Sequence, residues 1–168
     1  MTEAFVAVGS NIEPEQHLRA AAQALKRQFP GTRFSACYRN PAVGFEGEDF
    51  LNAVAQLSTS LPIPALLAEL RAIETACGRG PNDPKWGPRA IDLDLLLYDD
   101  VSGSGAGYTL PRPDLTRRPY MLGPLAELDP QRLYPPTGPS IAQLWARFPR
   151  SQVLLQRVSL DLNAVPAG

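Results

Sequence analysis

The chain has one histidine and two cysteines, and no apolar run in it approaches the roughly 18 residues of a membrane span. Its 16 basic and 17 acidic residues leave a formal net charge of -1. No broad field therefore gathers nucleic acid or an anionic bilayer, and a charged ligand must be met by local clustering. The lone His17 falls inside an amphipathic helical pattern beside Leu18, which argues against a nucleophile–histidine triad. Cys37 and Cys77 lack metal-ligand spacing and read as small interior residues of a protein in a reducing compartment. No basic stretch precedes the short apolar run of residues 4–8, so no secretory signal is expected and the expected location is cytoplasmic. A Walker-type Gly-x-x-x-x-Gly-Lys is missing, as is a kinase glycine-rich loop, and Gly9-Ser10-Asn11 is too short to cradle a phosphate alone.

Proline, by contrast, is plentiful at 18 residues and gathers after position 110, which predicts a loop-rich last third. With 168 residues and 44% hydrophobic content, the chain can bury one full core, and a single domain over 1–168 is expected. Residues 5–8 suggest a strand, and a helix follows from Pro14 with Leu18, Ala21, Ala22, Leu25 and Phe29 on its inner side. Strands are expected at 32–38 and 50–57 and a helix at 63–77, with Leu66, Leu70, Ile73 and Ala76 inward and Gly78 as its stop. A third long strand falls at 89–98. Residues 102–107 read as a flexible connector, 108–110 as a short strand, 120–128 and 140–148 as helices, and 153–160 as a last edge strand. The order predicts an α+β fold with a ferredoxin-like βαββαβ core, in which both helices pack on one face of an antiparallel sheet and long loops carry the catalytic groups.

The strand RAIDLDLLLY at 89–98 raises the chemical question, because it looks ready for a core yet carries two carboxylates. Alternation puts Ile91, Leu93, Leu95 and Leu97 on one face and Ala90, Asp92, Asp94, Leu96 and Tyr98 on the other. The two Asp backbones then lie roughly 6–7 Å apart, within reach of one cation cluster. A hard divalent ion with oxygen ligands satisfies both, and Mg²⁺ usually shares its shell between one or two carboxylates and substrate phosphates. Phosphate also wants forked guanidinium groups, and Arg79, Arg89, Arg112, Arg117 and Arg118 flank the strand in the two adjoining loops. Phe50, Trp86 and Tyr120 adjoin turn signals and could stack on a flat heterocycle, while Asn52 shares a strand face with Phe50 and could read a ring edge. The blander reading is also open. An Asp-x-Asp strand suits a solvated face paired with arginines, most single arginines are solvated, and the aromatics could simply fill a core. Among other classes, a polymerase-β-type nucleotidyltransferase would place its Asp pair soon after Gly-Ser, whereas here half the chain separates Gly9-Ser10 from Asp92. A non-catalytic ferredoxin-like sensor would need neither the carboxylates nor the surrounding arginines.

Five blocks bring these residues together in order: VAVGSN at 6–11, YRNPAVG at 38–44, DFLNAV at 49–54, WGPRAIDLDLLLY at 86–98 and RRPYMLGPL at 117–125. Over residues 4–144 the chain resembles the 6-hydroxymethyl-7,8-dihydropterin pyrophosphokinase family. The resemblance implies transfer of diphosphate from ATP to the hydroxymethyl group of 6-hydroxymethyl-7,8-dihydropterin with release of AMP. It implies that Asp92 and Asp94 hold two Mg²⁺ ions and act in catalysis with Arg79 and Arg89. Around ATP it implies Arg79, Arg89 and Arg118 at the triphosphate, with Glu74, Leu95, Thr109 and Arg112 also on the nucleotide side. For the pterin it implies a sandwich between Phe50 and Tyr120, Asn52 at the ring edge, Asn40, Pro41 and Val43 as pocket lining, and Trp86 in a loop that closes over the site. The implied partners are these two small molecules, with neither nucleic acid nor membrane, and the implied state is a monomer. Two departures stand out. Arg112 occupies the place of the family's usual His and brings charge without a titrating imidazole. The 79–85 stretch reads Gly80-Pro81-Asn82 where some members are more basic, which would shift the clamping onto Arg89 and Arg118. Residues 151–168 carry no functional signal.

Overall fold

Strand β1, Thr2–Ser10, has seven consecutive buried residues, the pattern of a strand covered on both faces. It lies inside the sheet, with a partner strand on each side. The computed structural model describes residues 1–78 and 90–168. After β1 come α1 (Pro14–Gln28), β2 (Arg33–Phe34), β3 (Cys37–Asn40), β4 (Phe50–Thr59), α2 (Ile63–Ala76) and β5 (Asp92–Tyr98). The small strands β6 (Gly103–Gly105) and β7 (Tyr108–Leu110), helices α3 (Pro119–Leu128) and α4 (Ile141–Arg147), and β8 (Gln156–Val158) complete the order. The main sheet runs β5-β1-β4-β3-β8 with β2 beside β4, and its pairs are antiparallel. This is the expected α+β, ferredoxin-like arrangement.

The two faces bury different helices. Val6, Val8, Ala53, Ala55, Leu93 and Leu95 meet α1 through Leu18, Ala21, Ala22 and Leu25 and α2 through Leu66, Leu70 and Ile73. Phe5, Ala7, Val54, Leu96 and Leu97 meet α3 and α4 through Met121, Leu122, Leu125 and Ile141. On this second face the apolar cover stops at Ala7 and Val54, and the next row of the sheet is polar.

Four sequence expectations change. Strand 32–38 is interrupted: Ser35 Oγ accepts from Val54 N at 2.9 Å in place of a backbone carbonyl, which separates β2 from β3. In β5 the register slips by one residue between the pairs Val6–Leu95 and Phe5–Leu97, so Leu96 is an extra residue opposite β1. Leu97 thereby joins Leu96 on the α3 face, and Tyr98 turns to the α1–α2 face, the reverse of simple alternation. Residues 103–105 form a strand, β6, in place of the loose connector expected over 102–107, and pair with the expected short strand at 108–110, with Gly107 at φ 82° supplying a turn conformation that side-chain patterns do not reveal. At the end of α2, Ala76 is exposed and Glu74 is buried.

The segment after α4 also builds structure. Only residues 156–158 of the expected last strand pair, with β3. Leu160, Leu162 and Val165 then enter the main core, and the Asn163 amide both accepts from Phe34 N (2.8 Å) and donates to Phe34 O (2.9 Å).

Candidate active site

Residues directly opposed in neighbouring strands share a face, so the register fixes who meets whom. Gly9 lies opposite Asp92 on one side and Asn52 on the other, and Asn52 lies opposite Tyr38. One row therefore reads Asp92, Gly9, Asn52, Tyr38, flanked by Asp94 beside Ala7 and by Asn40 beside Phe50. Glycine in the middle of this row is a steric requirement: a Cβ on Gly9 would stand 2.5 Å from Asn52 Oδ1. The Asn52 amide donates to Asn40 Oδ1, and Asn40 Nδ2 donates to Pro41 O at 3.1 Å, so two buried amides hold one another in fixed orientation. Gly9→Ala is expected to push the Asn52 side chain out of this line and to raise the KM for a ligand read by the two amides by about tenfold or more, in keeping with the cost of misplaced positioning groups. Steady-state kinetics against each substrate separately checks this.

The same register brings in α3. Tyr38 donates to Glu127 Oε1 at 2.6 Å, and Glu127 Oε2 accepts from Ala36 N at 2.8 Å, which fastens the end of α3 to β3. Burial first, and then its bond to Glu127, push the Tyr38 phenol up to about 12. At the other end of α3, Tyr120 stands between two clefts.

The larger cleft, about 420 Å³, is bordered by Asp92, Asp94, Leu95, Glu74, Thr109, Arg112 and Tyr120. Glu74 is only 7% exposed, and its Oε2 accepts from the backbone N–H of Leu93 at 2.8 Å. Because β5 is the outermost strand on that side, this bond secures the residue between the two aspartates where no neighbouring strand can. Arg112 is held by its own N–H donating to Leu96 O at 3.0 Å, with Nη2 3.5 Å from Asp94 Oδ1 and Nε 3.8 Å from Asp114 Oδ2. The donor set fits magnesium. Two carboxylates on one face border an open cleft, no group of three or more His, Cys, Asp or Glu among the described residues offers a closed cage, and Mg²⁺ completes its shell with water and phosphate oxygens. Asp92 and Asp94 are the residues that would hold it.

The smaller cleft, about 330 Å³, is bordered by Asn40, Pro41, Val43, Arg118 and Tyr120. Burial raises the Tyr120 pKa against the opposing pull of Arg118, with Asp114, Asp94 and Asp92 adding to the rise, so the phenol stays neutral between the clefts. Arg118 occupies the N-cap position of α3 without a side-chain capping bond, and its buried Nε has no hydrogen-bond partner among the described residues. It borders this cleft and not the larger one. Phe50 borders neither, its ring meeting Phe45 edge-on at 6.3 Å and 84°, while Asn52 reaches the cleft through Asn40. Arg79, Arg89 and Trp86 lie outside the described residues. His17 packs locally, with Nδ1 2.5 Å from Ile12 O, and Asn11 Nδ2 donates to Glu48 O at 3.2 Å, tying β1 to the 41–49 loop. Sequence reasoning missed Arg71, Asp114, Gln152, Leu154 and Leu155 as lining residues. For Arg71 a signal existed, its place three residues before Glu74 on one side of α2. For residues 152–155 there was none.

Comparison with known proteins identifies relatives of the chain. The model of the 7,8-dihydro-6-hydroxymethylpterin-pyrophosphokinase (HPPK) family matches residues 5–130. Among curated relatives, a 2-amino-4-hydroxy-6-hydroxymethyldihydropteridine pyrophosphokinase of Synechocystis sp. is 40% identical over 84% of this chain and 73% of its own length. One of the same name from Pseudomonas aeruginosa is 37% identical over 86% of this chain and 91% of its own. Among solved structures, Plasmodium falciparum HPPK-DHPS with SDX-DHP superposes with a TM-score of 0.69 at 11% identity, over 94% of this chain and 47% of that one. The same protein with pteroate gives 0.73 at 10% identity, over 93% and 47%. This chain thus spans about half the length of those two, and the likeness to them is one of fold.

Proposed function

Because the chain belongs to the 7,8-dihydro-6-hydroxymethylpterin-pyrophosphokinase family, and is thereby a pyrophosphokinase of folate biosynthesis, we propose that it joins the diphosphate of ATP to 6-hydroxymethyl-7,8-dihydropterin in an in-line displacement. The hydroxymethyl oxygen attacks the β-phosphorus, the bond from that phosphorus to the oxygen bridging it to the α-phosphate breaks, AMP departs and the hydroxyl proton is released. The observation that carries this reading is the meeting of two clefts at Tyr120, one with the aspartate pair and one with Asn40, whose amide is paired with that of Asn52. Two Mg²⁺ ions on Asp92 and Asp94, when bound, supply positive charge to the triphosphate oxygens and acidity to the attacking hydroxyl. Arg112 neutralises phosphate charge from the wall facing Asp94, and Arg118 offers its unpartnered Nε at the junction. Asn40 and Asn52 fix the edge of the pterin ring, and Tyr120 covers a ring face as a neutral aromatic. On this reading Arg79 and Arg89 take part in binding the triphosphate and Trp86 in binding the pterin, all three outside the described residues. The same reading treats the chain as one domain acting as a cytoplasmic monomer on small molecules, and no helix among the described residues is long and apolar enough to cross a membrane.

The test is direct. Purified protein with ATP, Mg²⁺ and 6-hydroxymethyl-7,8-dihydropterin is expected to release AMP and pterin diphosphate in equal amounts, followed by ³¹P NMR and chromatography, and to release no AMP when the pterin is left out. ADP as product, or AMP formed at the same rate without pterin, would overturn the proposal.

A further inference from the structure

The smaller cleft has a wall that the family match does not reach. The match ends at residue 130, yet Gln152, Leu154 and Leu155 border the cleft together with Asn40, Pro41 and Val43. Two anchors hold that wall in place. On one side Arg150 stacks on the Trp145 ring at 4.4 Å, donates from Nε to Phe148 O at 3.1 Å and reaches Trp145 O with Nη2, fixing residue 150 to α4. On the other side β8 pairs with β3 through Cys37–Val158, Tyr38–Arg157 and Arg39–Gln156. Continued by one step, that antiparallel register brings Leu155 to Asn40, and by two steps Leu154 to Pro41. The ladder stops there, and Pro41 has no N–H with which to extend it. Residues 152–155 thus run along the cleft between these two anchors, with Val153 packed on the α3–α4 core and Gln152, Leu154 and Leu155 on the cleft wall. Leu154 is 63% exposed although it is a large aliphatic residue on an ordered segment. An apolar side chain held in water at the rim of a cleft gains contact when a flat ring enters.

We infer that residues 152–155 form a strap that contacts the heterocyclic substrate, with Leu154 and Leu155 as specificity-determining groups that face it across the cleft from Val43 and Tyr120. The inference rests on the assignment of the smaller cleft to the pterin. The strap acts on the pterin alone, since none of its residues borders the cleft that carries the aspartates.

Equilibrium binding of the pterin, in the presence of Mg²⁺ and a non-reacting ATP analogue, and of the analogue by itself, separates the outcomes. Leu154→Ser changes an exposed side chain and threatens no core; the double variant Leu154→Ala with Leu155→Ala removes both contacts. Pterin dissociation constants are expected to rise about three- to fivefold and about ten- to thirtyfold respectively, sizes in line with losing one or two buried aliphatic groups. The dissociation constant of the analogue is expected to stay within about twofold, a range small against the roughly 1.4 kcal/mol of a decade. Wild-type pterin affinity in both variants would overturn the strap while leaving the proposed function standing. Equal losses for pterin and analogue would overturn it as well, by pointing to a general disturbance of the fold. Failure of the unmodified protein to bind the pterin at all would instead defeat the functional reading, and the strap with it.

Discussion

Asp94→Asn and Asp92→Asn are each expected to lower turnover by about a thousandfold or more, equivalent to roughly 4 kcal/mol of transition-state stabilisation. The unfolding midpoint should scarcely move. Both carboxylates border an open cleft rather than a core, and the ion pair from Asp94 to Arg112 spans 3.5 Å with both side chains partly solvated. Such a pair is worth about 0–1 kcal/mol to the fold. The asymmetry between a large catalytic loss and a small structural one separates the proposed chemistry from the plainer alternative, in which the carboxylates simply balance nearby arginines. Turnover within a few-fold of the parent protein in either variant, measured by AMP release under saturating Mg²⁺, would remove the aspartate pair from the chemistry.

Glu74 predicts the opposite pattern. Its carboxylate holds the Leu93 N–H from inside the protein, so Glu74→Ala leaves a buried donor without that acceptor, at about 1–3 kcal/mol. For a chain of this size each kcal/mol lowers Tm by roughly 2–4 °C. Freed on its outer side, β5 no longer aims Asp92 and Asp94 together, and kcat is expected to fall about ten- to a hundredfold through misplacement alone. Glu74→Gln retains an oxygen acceptor in the same place and should recover most of the stability and part of kcat. A Glu74→Ala variant with an unchanged Tm, by calorimetry, would mean that the bond to Leu93 does not hold the strand.

Much of this arrangement is legible in the order of residues. The apolar spacing of α1 and α2, the strand character of β1, β4 and β5 and the two-residue separation of the aspartates follow from local periodicity, and periodicity survives folding wherever one face of an element is buried. The resemblance to the pyrophosphokinases is carried by short contiguous blocks, and the register then brings Asn40, Asn52, Gly9 and Asp92 together on one face of the sheet. What stayed hidden depends on neighbours rather than on spacing. The extra residue at Leu96 is visible only once β1 is laid against β5, and it changes which side Leu97 and Tyr98 face. Glu74 looks like one more surface acid on a helix until the outer edge of β5 is brought beside it. That Arg118 borders the smaller cleft is visible only once α3 is in place. Residues 152–155 resemble any polar-apolar loop, and their relevance comes wholly from the anchors that hold them on the cleft wall.

The interior position of β1, paired on both sides, has a consequence for how the molecule is made. β1 must wait for β4, about fifty residues later in the chain, and for β5, about ninety later, before either of its edges is satisfied. Phe34 waits longer still, for Asn163, 129 positions further on. Such long-range pairing favours slow acquisition of the native sheet and leaves a sticky nascent β1 exposed during synthesis, a natural client for chaperones that shield apolar strands.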